Sequence, residues 1–193
     1  MSEIALVIFF PMPRLDKTTK DQIKQLDHQS LQQIVLKLTS RDKSAYEYVL
    51  VNYIDKEQGE KELFEEVKAD LELIFRKQHK GFSYQLQLAN MLAKCVKRIN
   101  EFTKTSNNKV SEAELLMHIL KVPFSLNTDM FGTCFTQFDT RVAIILKRLI
   151  NIVTKKLHED YLIEYQDTIN SYLEILHRTS GHINTVYQLP DEI

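Results

Sequence analysis

The sequence predicts an all-α fold: a single-domain bundle or short irregular solenoid of antiparallel helical hairpins, with a short extended N-terminal arm. Three observations predict it. Apolar residues recur at i, i+3, i+4 and i+7 through most of the chain, the period of one helix face. Glycine and proline are scarce, 4 of each in 193 residues, so the many tight turns of a sandwich or barrel lack the residues that make them. A composition of 44% hydrophobic and 26% charged residues is that of a globular chain, long enough to close a core without staples.

The elements follow in order. Residues 1–17 read as an apolar arm, because Ile4–Phe10 (IALVIFF) is an unbroken apolar run closed by Pro11 and Pro13. Its β-branched members favour extended backbone and its prolines stop a helix. The run is far short of the roughly 20 residues of a membrane span and lacks the positive start of a secretory signal. The expectation is a cytoplasmic chain with no membrane role. Such a run is a strand against a neighbour, an arm tucked into its own domain, or an extension foreign to the fold; where it makes contacts, Ile4, Val7 and Phe9 are expected to meet a protein partner or a second copy of the chain in a homo-oligomer.

Residues 18–181 read as the helical domain. Thr18–Leu26 is a short helix, and Asp27 caps a second over His28–Leu38 with Leu31, Ile34, Val35 and Leu38 on one face. Asp42 caps a third over Lys43–Asp55, although YEYVLVNYI also alternates as a strand would. Glu60–Lys80 has acids in its first turns and bases in its last, complementing the helix dipole, and Gly81 stops it. Ser83 caps a helix running to Thr103, and the polar Thr105–Asn108 segment is a loop. Ser111 and Glu114 have capping-box spacing and open a helix to Lys121, which Pro123 keeps from continuing. An irregular stretch, Val122–Asp139, carries Phe124, Phe131, Phe135 and Phe138. Asp139 caps Thr140–Leu157, whose wide apolar face marks a central helix. Glu159–Arg178 is the last helix, Gly181 its stop, and residues 182–193 a C-terminal tail. The spans 60–103 and 140–178 approach the length of HEAT-like helical pairs, without a repeated sequence.

The stretch KDQIKQLDHQSLQQIVLKLTSRDKSAYEYVL resembles the opening of a family of helical bacterial proteins to which no activity is assigned. The pattern is a short basic helix, a polar cap, a Leu/Ile helix, then a Lys- and Tyr-bearing helix. It covers about one sixth of the chain, and the IALVIFF run departs from it. The resemblance implies an all-helical fold and nothing more.

Chemical motifs are few. The four glycines, Gly59, Gly81, Gly132 and Gly181, are too scattered for a phosphate-cradling loop. Glu174 and His177 form an E-x-x-H at helical spacing, but a di-metal bundle needs a second copy, and Glu114 and His118 stand four apart instead. His158-Glu159-Asp160 reads as a capping turn, since no nucleophile or oxyanion donor lies beside it. The expectation is a protein with no catalytic residues, no metal and no cofactor, and an enzyme is disfavoured. Cys95 and Cys134 have no metal spacing and read as free thiols of a reducing compartment.

Charge carries the remaining hint. The totals nearly cancel, 25 bases against 26 acids, but the distribution is uneven. Residues 55–72 hold eight acids and three bases, a local −5, and residues 140–157 hold five bases and no acid, a local +5. Residues 94–109 add five bases against Glu101, a local +4. Opposite faces of this kind can simply attract each other within the fold. In the sharper reading, Lys94, Lys97, Arg98, Lys147 and Arg148 form a basic surface for an acidic partner. The functional expectation is a non-enzymatic protein–protein interaction or scaffolding module. The alternative is a nucleic-acid-associated regulator using basic helices 94–109 and 140–157. The phenylalanines of 124–138 either pin that segment to the core or line a pocket.

Overall fold

A computed structural model describes residues 15–77 and 83–193. The fold is all-α, and no strand occurs among the described residues. The helices are α1 (Lys17–Lys24), α2 (His28–Thr39), α3 (Lys43–Val49), α4 (Lys56–Arg76), α5 (Tyr84–Thr105), α6 (Lys109–Phe124), α7 (Thr136–Lys156), α8 (Glu159–Ser180) and α9 (Asn184–Tyr187). Leu50–Ile54 is a π-helical turn and Thr128–Met130 a 3-10 turn. The expected stop at Lys80 and Gly81 lies outside the described residues. No described helix is long and apolar enough to cross a membrane. The chain divides into two compact units, 1–46 and 47–193, at a point inside α3 that the hydrophobic pattern does not mark.

The first unit contains α1 and α2, each started by an aspartate that satisfies the free amides of the first turn. Asp16 Oδ1 accepts the Thr19 N–H at 2.6 Å. Asp27 accepts the Ser30 N–H at 2.9 Å and its hydroxyl at 2.6 Å. Neither helix contains a buried residue.

In the second unit, Asp55 caps α4 by accepting the Gln58 N–H at 3.1 Å, so that helix starts four residues before the expected Glu60. The third expected helix is regular only to Val49 and then widens into the π turn. A methyl group on Gly59 would stand 3.1 Å from Leu50 Cγ, so glycine there lets the π turn lie against α4. The turn is also tied to the end of α5, where Asn52 Nδ2 donates to the Thr105 carbonyl at 3.0 Å.

Ser83 caps α5 as expected, accepting the Leu86 N–H at 3.3 Å. The α6 cap is Asn108, not Ser111: its Oδ1 accepts from the Val110 and Ser111 amides at 2.9 and 3.2 Å. Pro123 does not stop this helix but sits in its last turn, where it removes a single backbone donor, and the helix ends one residue later. Asp139 is no cap either. It is fully buried in the first turn of α7, and its Oδ1 accepts the Gly132 N–H at 2.9 Å and the Ser180 hydroxyl. Gly132 has φ +68°, and a Cβ there would lie 2.2 Å from the Thr179 carbonyl oxygen. Only glycine fits that approach.

The core is built around α7, whose Val142, Ile145, Leu146, Leu149 and Val153 are buried among α5, α6, α8 and α9. The wide apolar face read from the sequence has this cause. α6 is also central, with Leu115, Leu116, Ile119 and Leu120 fully enclosed. The phenylalanine segment belongs to the core: Phe124 stacks on Tyr172 at 3.8 Å, and Phe131 packs against Phe124 at 5.3 Å and Phe138 at 5.2 Å. Residues 182–193 are not a loose tail. Val186 and Leu189 are buried, the Ile193 N–H donates to Asn170 Oδ1 at 2.9 Å, and its carbonyl accepts from Gln166 Nε2 at 2.6 Å.

Candidate interaction surfaces

Of the contact residues expected from the sequence, Ile4, Val7 and Phe9 lie outside the described residues. Lys94 and Lys97 are exposed on α5, and Lys147 is exposed on α7 with its ammonium 3.5 Å from Gln188 Oε1. The two arginines are turned inward toward acids. Arg98 Nε donates to Asp70 at 2.8 Å and its Nη2 to Glu66 at 3.1 Å, so part of the −5 stretch on α4 is answered by the +4 stretch on α5. Arg148 grips one oxygen of Glu112 through Nε and Nη2 at 3.0 and 2.7 Å, and donates to Asn100 Oδ1 at 2.6 Å. The two guanidiniums therefore serve different helices, α4 for one and α5 with α6 for the other.

Glu112 was not singled out in the sequence, since it sits beside a capping box that does not form. Buried at the start of α6, it also accepts from Lys109 Nζ at 2.6 Å. Burial pushes its carboxyl up, but the hydrogen bonds and charges of Lys109 and Arg148 outweigh that and hold it below the usual carboxylate value. The arrangement is a structural ion cluster whose members consume one another's charge.

A groove of about 470 Å³ between α4 and α6 is lined by Lys56, Glu57, Glu60, Lys61, Phe64 and Ser111. A neighbouring hollow of about 260 Å³ shares Phe64 and Glu114 and adds Lys68, His118, Glu164 and Tyr165. Glu114 and His118 therefore do line one surface. Burial, with the Lys68 ammonium next, lowers the His118 imidazole below its ordinary value. Burial pushes the Tyr165 phenol up to about 12, with the Glu114 and Glu164 charges adding to it. Among the described residues no three His, Cys, Asp or Glu side chains are grouped to hold a metal. The groove offers both signs of charge around one aromatic ring.

The other polar motifs have local partners. His177 Nε2 lies 3.1 Å from the Pro190 carbonyl oxygen, while Glu174 pairs with Arg178 at 3.7 Å. His158 is the α8 cap, with Nδ1 accepting the Asp160 N–H at 3.4 Å.

Exposed apolar side chains include Tyr53, Ile54, Ile163 and Tyr187 in the second unit and a set on α2 in the first. Leu38 is 55% exposed, Leu36 69%, and Ile34 and Val35 each 43%. Ile34, Val35 and Leu38 share the i, i+3, i+4, i+7 stripe with half-buried Leu31 on a helix that contains no buried residue, whereas Leu36 stands on its opposite side. An amphipathic helix forms stably in water mainly by laying that stripe on something. Gln32 and Lys37 flank the stripe on either side, and Lys37 is the one charged residue of α2.

Compared with protein-family models, with curated proteins and with solved structures, the chain matches none. Its side chains and their placement thus carry the functional reading.

Proposed function

We propose that this protein is a non-enzymatic interaction module whose contact element is its N-terminal helical unit. The reading is carried by the stripe of α2, where Ile34, Val35 and Leu38 are exposed, Leu38 at 55%, on a helix with no buried residue. Contiguous exposed apolar side chains of this kind mark contact surfaces far more often than solvated ones. The apolar run Ile4–Phe10 falls in the same 46-residue unit and is assigned the same contact role. Exposed Cys134 and buried Cys95, whose thiol burial pushes up to about 12, fit a reducing, cytoplasmic setting. The basic helices carry less of the contact role, because Arg98 and Arg148 already face carboxylates within the fold.

The test is quantitative affinity purification from the native cell with wild-type chain, an Ile34→Glu/Leu38→Glu variant and a deletion of residues 4–10. Proteins recovered with the wild type are expected to fall at least tenfold with the double variant, with its melting temperature unchanged. An identical set of proteins in all three samples overturns the reading. Co-purifying nucleic acid that is lost on Lys147→Glu would favour the basic helices instead.

A further inference from the structure

We propose that the hollow between α4, α6 and α8 binds a small zwitterion, an amine joined by a short spacer to a carboxylate. The proposal is independent of the α2 reading, since every residue it uses lies in the second unit. Two polar side chains withdrawn from solvent line this hollow without a partner. Tyr165 is only 7% exposed, and its hydroxyl makes no hydrogen bond among the described residues. His118, half-buried one turn of α6 beyond Glu114, makes none either. A polar group taken out of water without a partner costs free energy. At the wall of a cavity, a ligand supplies the missing partner.

The charges around these two groups are sorted by sign. The ammoniums of Lys68 and Lys121 act on His118, with Glu72 opposing them. The carboxylates of Glu114 and Glu164 act on Tyr165, as does the neighbouring Tyr161. Glu114, His118 and Lys121 stand at i, i+4 and i+7 on one face of α6, so its acid and base are about 10 Å apart along the axis. The direction repeats on α4, with Phe64 lining the hollow beside Glu114 and Lys68 further along near His118. Elsewhere in this unit opposite charges close on each other, as Arg98 does on Asp70 at 2.8 Å. Here two bases and two acids share one hollow and form no ion pair among the described residues. A lone anion would meet Glu114 and Glu164, and a lone cation would meet Lys68 and Lys121. A molecule with one charge of each sign satisfies both ends. Its ammonium donates to Glu114, Glu164 and the Tyr165 oxygen beside the Phe64 ring. Its carboxylate accepts from Lys68, Lys121 and the His118 ring N–H. The hollow, about 260 Å³, is smaller than the roughly 300–1,000 Å³ of drug-sized sites, which keeps the ligand small.

The experiment is an NMR titration of the full chain that follows the ring signals of His118 and Tyr165. The zwitterion is ε-aminocaproate, and caproate and hexylamine are the single-charge probes. Wild type, Tyr165→Phe and Lys121→Glu are compared, each with a thermal melt. The wild-type signals are expected to shift saturably with ε-aminocaproate, at a dissociation constant on the order of 1 mM. Either single-charge probe should bind at least tenfold more weakly. Tyr165→Phe should weaken ε-aminocaproate about tenfold, the loss of one hydrogen bond to a charged group. Lys121→Glu should reverse the preference, so that hexylamine binds more tightly than ε-aminocaproate. Wild-type shifts that never saturate overturn the proposal. So does caproate or hexylamine binding wild type as tightly as the zwitterion, or Lys121→Glu keeping the wild-type preference. Lys121 is exposed, so its variant decides the outcome whatever Tyr165→Phe does to the fold.

Discussion

Glu112 shows how a single side chain ties distant parts of the second unit together. Its carboxylate accepts from Lys109 in its own helix and from Arg148 on α7, while Arg148 also reaches Asn100 on α5. Removing the acid leaves two cations facing each other in a half-buried site, so Glu112→Ala is expected to cost about 2 kcal/mol in denaturant unfolding. The sign of the pH effect follows from the lowered carboxyl. A group whose folded value lies below its unfolded one stabilises above the unfolded value and loses that contribution as pH falls through the folded value. Wild-type stability should therefore drop below about pH 4.5, the ordinary carboxyl value, and Glu112→Gln should flatten that part of the acid limb. An equal acid slope in both proteins would show that Glu112 is not the group titrating. None of this network was visible beforehand, because the Glu112–Arg148 pairing spans 36 residues. The local charge sums of the basic helices were legible, but their partners were not.

Helices differ in how much of them the sequence encodes locally. Asp27 and Ser83 could be read as caps because an N-cap is decided within three residues of itself. Asp139 and Ser111 looked equivalent and are not. Asp139 is held by Gly132 and Ser180, and Ser111 Oγ lies 3.4 Å from Glu60 on α4, contacts that only the folded chain provides. The π turn at Leu50–Ile54 was illegible for the same reason, since it depends on the space above Gly59 and on the Thr105 carbonyl. The stripe of α2 was legible as a stripe, but the exposure of Ile34, Val35 and Leu38 was not. The contrast with α7 is measurable. Leu146→Ala, at a fully buried position, is expected to cost roughly 2–5 kcal/mol, whereas Leu38→Ala should change stability by less than about 0.5 kcal/mol. Comparable losses at both sites would mean that α2 is covered within its own chain.

At the scale of the whole molecule, the two units divide the work. Residues 47–193 hold the buried core around α6 and α7, and residues 1–46 hold helices with nothing buried among the described positions. Opening free energy follows buried apolar contact, so the two units should exchange their amide hydrogens on widely separated timescales. The measurement that tests this most directly is hydrogen exchange, followed by mass spectrometry, over His28–Thr39 and Thr136–Lys156 in the dilute full chain. The expected result is fast exchange of the α2 amides and slow exchange of those of α7. Amides of α2 as protected as those of α7 in the dilute chain would contradict it, because the stripe would then already be buried and could not be the surface that another molecule meets.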